Sequence, residues 1–169
     1  AIRRAVREKR GLDGGMPENG KRTPGSARES RVGMGYDVHR LVEGRKLILC
    51  GAEFEFEKGL LGHSDADVAV HALMDALLGA AGLGDIGKLF PDSDPAYKDI
   101  SSIELLRKVA EAVRAKGYRL GNADIVIAAQ RPKLMGRREE MVENLARAMA
   151  ESPERISVKA TTTEGLGFE

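Results

Sequence analysis

Apolar residues recur at helical spacing in two long stretches of the chain. Ile103, Leu106, Val109, Ala110 and Val113 mark one face of a helix. Ser101 stands at its start with Glu104 three residues on, the pattern of a capping box, and Gly117 ends it. Met141, Val142, Leu145 and Met149 give residues 137–150 the same amphipathic spacing. A third helix is expected from Ser64 or Asp65, either of which can cap it, to about Ala80, with Gly79 and Gly82 near its end. Strands are predicted over 31–36, 123–129 and 156–162. A hairpin is predicted with arms at 46–50 and 53–56 around Gly51-Ala52. Residues 84–97, rich in Gly, Asp and Pro, read as a loop. Helices and strands interleave irregularly and no internal repeat is present, so the pattern predicts an α+β two-layer domain.

The 169 residues suit one domain. Tryptophan is absent and aromatics make up 4%, so Leu, Ile, Val, Ala and Met must fill the core. Residues 1–30 carry eight Lys/Arg against four Asp/Glu; with a chain total of +1, the body from residue 31 is left at −3. That body has no basic footprint for nucleic acid. The first thirty residues are poor in large apolar side chains and rich in Gly and charge, so they are expected to form a disordered leader or linker. Residues 31–169 are expected to form the domain. The single cysteine, Cys50, lies in an apolar run and reads as a buried strand residue. No apolar stretch reaches the roughly 18 residues of a membrane span.

The chain's three histidines, His39, His63 and His71, all fall in or beside acidic segments. Asp37 and His39, at i and i+2 on an extended chain, point to one face. Such a pair suits zinc, and a plain Asp–His hydrogen bond suits it too. Asp67, His71 and Asp75 share one helical stripe. If His71 meets Asp37 and His39, three protein ligands leave a fourth position open, as in a catalytic zinc site. Asp67 or Asp75 would then orient His71 from behind. In Gly84–Asp94, glycines allow close backbone approach to phosphate or ribose, and carboxylates can hold hydroxyls. Arg131 and Lys133, after an apolar strand, could meet an anion. Thr161, Thr162 and Thr163 beside Glu164 suit phosphate together with Mg²⁺. Surface loops and ordinary strand sequence account for these last three segments equally well.

The strings GYDVHRL, KGLLGHSDADVAVHALMDALLGAAGLGDIGKLFPDSDP, KGYRLGNADIVIAAQRPK and VKATTTEGLGF run in one order through residues 32–168. Together they resemble the 2-C-methyl-D-erythritol 2,4-cyclodiphosphate synthases of the non-mevalonate isoprenoid pathway. The resemblance implies a ferredoxin-like two-layer α/β sandwich working as a homotrimer, with active sites between subunits. It implies one Zn²⁺ per site on Asp37, His39 and His71, and a second divalent ion, Mg²⁺ or Mn²⁺, held at Glu164 and bridging the substrate diphosphate. His63 and Thr162 match the catalytic pair, and His63 and Ser64, beside Asp37 and His39, match phosphate contacts. Asp85, Ile86 and Gly87, with Phe90, Pro91, Asp92, Ser93 and Asp94, match ribose and erythritol contacts. Ala129, Gln130, Arg131, Pro132, Lys133, Leu134 and Met135, with Thr161, Thr162 and Thr163, match a cytidine pocket. Phe168 matches a further substrate contact.

The implied reaction converts 4-diphosphocytidyl-2-C-methyl-D-erythritol 2-phosphate to the cyclic diphosphate and CMP by intramolecular phosphoryl transfer, with no protein nucleophile. The implied setting is the bacterial cytoplasm, with a plastid as the second reading. The basic leader has no counterpart in a minimal synthase and suggests a fusion to the pathway's cytidylyltransferase. The family continues past the phenylalanine matching Phe168, where Glu169 replaces a usual threonine, so the resemblance implies an incomplete C-terminus. Two other readings stand beside it: a zinc phosphohydrolase using the same triad, and an inactive trimer that binds CMP or CDP.

Overall fold

In a computed structural model, residues 2–9, 30–91 and 93–166 are described. Strands β1 (Ile2–Lys9), β2 (Ser30–Gly33), β7 (Tyr118–Ala128) and β8 (Ile156–Thr161) form one sheet in the order β2-β1-β7-β8. β1 runs antiparallel to both neighbours, and β7 and β8 are parallel. Helices α1 (Val68–Ala81), α3 (Ser102–Ala115) and α4 (Arg138–Met149) pack against it: α1 over β1 and β2, α3 on β7, α4 on β8. Along β7, Tyr118, Leu120, Ala123, Ile125 and Ile127 are buried, with more accessible residues between them. That alternation is what a sheet covered on one face produces. The two-layer α+β expectation therefore holds.

α1 is apolar nearly all round, and 69–74, 76–78, 80 and 81 are buried. It is the central helix, packed on both the sheet and α3. β2 and the segment after it press directly on it. A Cβ on Gly33 would lie 1.8 Å from the Ala76 carbonyl oxygen, and one on Gly35 would lie 1.8 Å from that of Ala72. Only glycine permits this approach, which brings the Asp37–His39 segment beside His71.

Two short antiparallel pairs flank the sheet: β3 (Leu41–Glu43) with β6 (Lys58–Leu60), and β4 (Leu47–Leu49) with β5 (Ala52–Phe54). The β4–β5 turn is Cys50-Gly51, with φ of 51° and 71°, one residue earlier than expected. Positive φ at both central positions matches the right-handed twist of the arms. Cys50 is fully buried as expected, but in the turn rather than in a strand.

Four differences from the sequence reading have physical reasons. Ile2–Lys9 forms a strand inside the segment expected to carry no order. Pairing on both of its edges is long-range and leaves little trace in eight residues of local sequence; residues 10–29 lie outside the described residues. α1 is capped by Asp67, whose carboxylate accepts from Val70 N, not by Ser64 or Asp65, which bond elsewhere. The capping box of α3 does not form. Ser101 makes no side-chain cap bond, Glu104 pairs with Arg107, and Asp65 accepts the Ser102 amide from outside the helix. The loop after α1 contains a short helix α2 (Ile86–Leu89) and a 3-10 turn at Pro95–Tyr97, each capped by an aspartate, Asp85 and Asp94.

Candidate metal centre and surrounding cleft

Asp37 Oδ2, His39 Nε2 and His71 Nδ1 form a nearly equilateral triangle. Asp37 to His39 is 3.0 Å, Asp37 to His71 3.2 Å and His39 to His71 3.2 Å. Three donors of one tetrahedral ion with bonds of about 2.0–2.1 Å would lie roughly 3.3–3.4 Å apart. The observed separations are within a few tenths of an ångström of that, so one carboxylate and two imidazoles fit a zinc-type ion with a further position open. Neither imidazole is loosely held. His39 Nδ1 lies 2.7 Å from the Leu61 carbonyl oxygen, an acceptor only, so Nδ1 carries the proton and Nε2 faces the triangle. His71 Nε2 lies 2.9 Å from Ser102 Oγ and 3.1 Å from Ser64 Oγ, which leaves Nδ1 toward Asp37.

Burial opposes ionisation of Asp37, but hydrogen bonds from His39 and His71 and their charges outweigh it, and its carboxyl sits well below the ordinary range. The same hydrogen bond raises His39 against the opposing effect of burial. Asp67 behaves oppositely. It is fully buried, and desolvation pushes it up to about 6 despite hydrogen bonds from Gly51 and Val70 amides. Asp75 is raised, chiefly by desolvation, and accepts from Ile86 N at 2.9 Å. Neither aspartate orients His71, contrary to the expectation from helical spacing. Asp67 caps α1 and ties it to the β4–β5 turn, and Asp75 ties it to α2.

Sequence reasoning missed the groups that do surround His71: Ser102, Asp65 behind it, and the Leu61 carbonyl behind His39. The Ser102 contact to His71 spans 31 residues and the Asp65 contact to Ser102 spans 37. The only local trace was the pair of serines where a single cap was expected.

Asp37 and His39 also border a cavity of about 440 Å³ whose lining includes Tyr36, Leu47, Phe56, Val68 and Ile127 and extends over Ala129, Gln130 and Arg131. One chain therefore brings Asp37 and His39 of the triad and the start of the expected cytidine segment to the same space. Arg131 reaches Glu57 at 2.9 Å and stacks over Phe56, while Leu134 is buried and Met135 exposed. Pro132 follows a cis peptide bond, and Lys133 is exposed. Ala129 N donates to Thr161 O at 2.9 Å, which sets the end of β8 beside this segment. Thr162 donates to Glu164, and Thr161 Oγ1 to the Thr162 carbonyl; Thr163 is half-buried. His63 Nε2 is buried and has no hydrogen-bond partner among the described residues. The α2 stretch, with Asp85, Ile86 and Gly87, is anchored to α1 through Asp75, and Phe90 stacks edge-on against Tyr97. Pro91 and Ser93 are exposed. Neither this stretch nor Thr161–Glu164 lines the cavity. Asp92 and Phe168 lie outside the described residues.

Residues 30–169 match the YgbB family. The chain belongs to that family. It is 62% identical over 139 residues to a 2-C-methyl-D-erythritol 2,4-cyclodiphosphate synthase of Desulfitobacterium hafniense (strain DSM 10664 / DCB-2), covering 82% of this chain and 88% of that protein. It is similar to a solved 2C-methyl-D-erythritol-2,4-cyclodiphosphate synthase in a CDP-bound form, with 48% identity and a TM-score of 0.74 over 79% of this chain and 89% of the other. It is also similar to the bifunctional IspDF of Campylobacter jejuni, with 49% identity and a TM-score of 0.77 over 80% of this chain and 37% of that one. The family membership implied by the four sequence strings is thus borne out. Among the described residues no helix is long and apolar enough to cross a membrane.

Proposed function

We propose that this chain converts 4-diphosphocytidyl-2-C-methyl-D-erythritol 2-phosphate to 2-C-methyl-D-erythritol 2,4-cyclodiphosphate and CMP, acting as a phosphorus–oxygen lyase. An oxygen of the 2-phosphate forms a bond to the β-phosphorus. The bond from that phosphorus to the bridging oxygen breaks, and the bridging oxygen leaves with CMP. The observation that carries this reading is the Asp37–His39–His71 triangle, set in a chain of the YgbB family. A zinc ion held there would supply positive charge and Lewis acidity to the reacting phosphates. Asp37 is held as a carboxylate, and with an ion bound His39 Nε2 and His71 Nδ1 would each present a bare nitrogen to it. His63, whose buried Nε2 lacks a hydrogen-bond partner among the described residues, is proposed to bond a phosphate oxygen, with Ser64 next to it in the chain. Thr162 and Glu164, already bonded to each other, are the pair proposed to meet the diphosphate and a second divalent ion, Mg²⁺ or Mn²⁺. Catalysis then consists of positioning and charge neutralisation.

The finer fold reading is a ferredoxin-like sandwich in a homotrimer with sites between subunits. It is supported by Val32, Met34, Tyr36 and Val38, alternate residues 53%, 75%, 52% and 57% exposed, a stripe of a kind that marks an interface. Asp37, His39 and His71 would then face the phosphates from one chain, while Ala129–Met135 and Thr162 reach the cytidine from the next. The single-chain cavity bordering both segments favours the other arrangement, a site within one chain. Coexpression separates them. His71→Ala and Ala129→Glu should each be inactive alone, and trimers mixing them should regain part of the activity only if sites are shared.

Product analysis tests the reaction itself. With substrate and zinc, ³¹P NMR should show cyclic diphosphate and CMP in equal amounts and no inorganic phosphate. Phosphate release would instead make the chain a zinc phosphohydrolase. Tight CMP binding without product would make it a binding module.

A further inference from the structure

We propose that Asp65 and Ser102 are positioning residues that fix the tautomer and ring orientation of His71, leaving its Nδ1 lone pair aimed at the metal position. The inference rests on the reading of Asp37, His39 and His71 as metal ligands.

The argument is a proton count. A hydroxyl has one proton to donate, whereas a carboxylate can only accept. Ser102 Oγ donates to Asp65 Oδ1, and the Ser102 amide donates to Oδ2 of the same carboxylate at 3.0 Å. With its proton committed there, Ser102 Oγ can only accept from His71 Nε2, 2.9 Å away. Nε2 must therefore carry the ring proton. In a neutral imidazole that leaves Nδ1 bare, and Nδ1 is the atom facing Asp37 Oδ2 and His39 Nε2.

The surroundings keep the assignment from being overridden. Ser102 is fully buried and Ser64 is 6% exposed, so bulk water does not compete for Nε2. Ser64 Oγ accepts from the Ala66 amide at 3.2 Å, can give its own proton to Ser102 Oγ 3.4 Å away, and then stands 3.1 Å from Nε2 as a second acceptor. His39 is fixed by an independent device, the Leu61 carbonyl, which selects the opposite nitrogen. The two imidazoles thus enter the site through different atoms, Nε2 of His39 and Nδ1 of His71, each set by an acceptor-only group behind it. Asp65 precedes α1 and Ser102 opens α3, so the contact also locks the starts of the two helices together.

A purely structural role, in which Asp65 does no more than cap α3, predicts lost stability and an unchanged His71 ring. The two roles separate by spectroscopy. In the metal-free protein labelled with ¹⁵N-histidine, long-range ¹H–¹⁵N spectra should show His71 as the Nε2–H tautomer. Ser102→Ala should give a mixture or the Nδ1–H form. So should Asp65→Asn, whose amide can donate to Ser102 Oγ and turn its proton toward His71. Ser102→Thr, which keeps the hydroxyl, should restore Nε2–H. Cobalt(II) affinity, read from its visible absorption, should fall about 10–100-fold in the first two variants, the usual effect of losing a group behind a metal ligand, and recover in the third.

An Nδ1–H His71 in the unsubstituted protein overturns the proposal, and it can be read even if the variants do not fold. An unchanged tautomer and cobalt affinity in Ser102→Ala overturn it as well. If the unsubstituted protein and His39→Ala bind cobalt equally, the metal reading fails instead, and the tautomer spectra show that failure to be separate.

Discussion

Replacing Gly35 by alanine should damage the metal site without touching a ligand. The added Cβ would sit 1.8 Å from the Ala72 carbonyl oxygen, 2.8 Å from its carbon and 3.0 Å from Ala76 N, all backbone of α1. A carbon–oxygen contact needs about 3.3 Å. Strand and helix must therefore separate by roughly 1.5 Å, since no side-chain rotation relieves a clash with main chain. Overpacking of this kind costs about 1–3 kcal/mol, which is roughly 3–10 °C in melting temperature for a domain of this size. The larger effect is on geometry. Gly35 lies two residues before Asp37, and Ala72 follows His71 directly. The displacement therefore pulls two ligands from the third, by about three times the 0.5 Å that a preorganised site tolerates. Zinc affinity, measured by competition with a fluorescent chelator, should drop by at least about 100-fold. Gly79→Ala is the control. It lies on α1 with nothing within 4 Å of the new Cβ, so it should leave zinc affinity alone and stabilise by up to about 1 kcal/mol. If Gly35→Ala melts within about 2 °C of the parent and binds zinc within threefold, close approach does not position the site and the reasoning fails.

His39→Ala should keep the fold, since the side chain is only partly buried, and should lose both zinc binding and turnover; near-normal CMP production would dismiss the triad. Asp67 predicts a pH effect. Its folded value, about 6, lies above the ordinary 3.8, so its contribution is fully present below pH 3.8 and is lost as pH rises through 6. Metal-free protein should gain up to about 3 kcal/mol from this group as pH falls from 7 to 4, by chemical denaturation. Raised His39 acts in the same direction near and above its ordinary 6.5, depressed Asp37 acts only below 3.8, and raised Asp75 adds to the 4–6 window in the same direction, so the difference between the parent and Asp67→Asn isolates Asp67. Asp67→Asn should reduce the slope in that window, and an unchanged slope there would refute the assignment.

The elements legible in the sequence were those whose information is local. Val109, Ala110 and Val113 repeat at helical spacing and mark α3; Met141, Val142, Leu145 and Met149 mark α4. Asp37 and His39 lie two residues apart, so their common direction needed only an extended backbone. Their meeting with His71 was conditional in the sequence, because it depends on how β2 lies on α1, and Gly33 and Gly35 decide that. The misassigned caps share one cause. Ser64 and Asp65 have the right chemistry for a helix start, but the fold uses them on His71 and Ser102, and Asp67 takes the cap. The three-residue strands β3 and β6 carry too few positions for an alternating pattern. The supports behind the two histidines are tertiary, and one is a main-chain carbonyl, which no side-chain pattern announces.

The most direct test of the account is an anomalous difference map at the zinc edge from crystals grown with zinc and CDP. The account predicts one strong peak per chain, about 2.0–2.1 Å from Asp37 Oδ2, His39 Nε2 and His71 Nδ1, with a fourth ligand from phosphate or water. A peak bound through other residues, or one bonded to His39 but more than roughly 4 Å from His71 Nδ1, would contradict it.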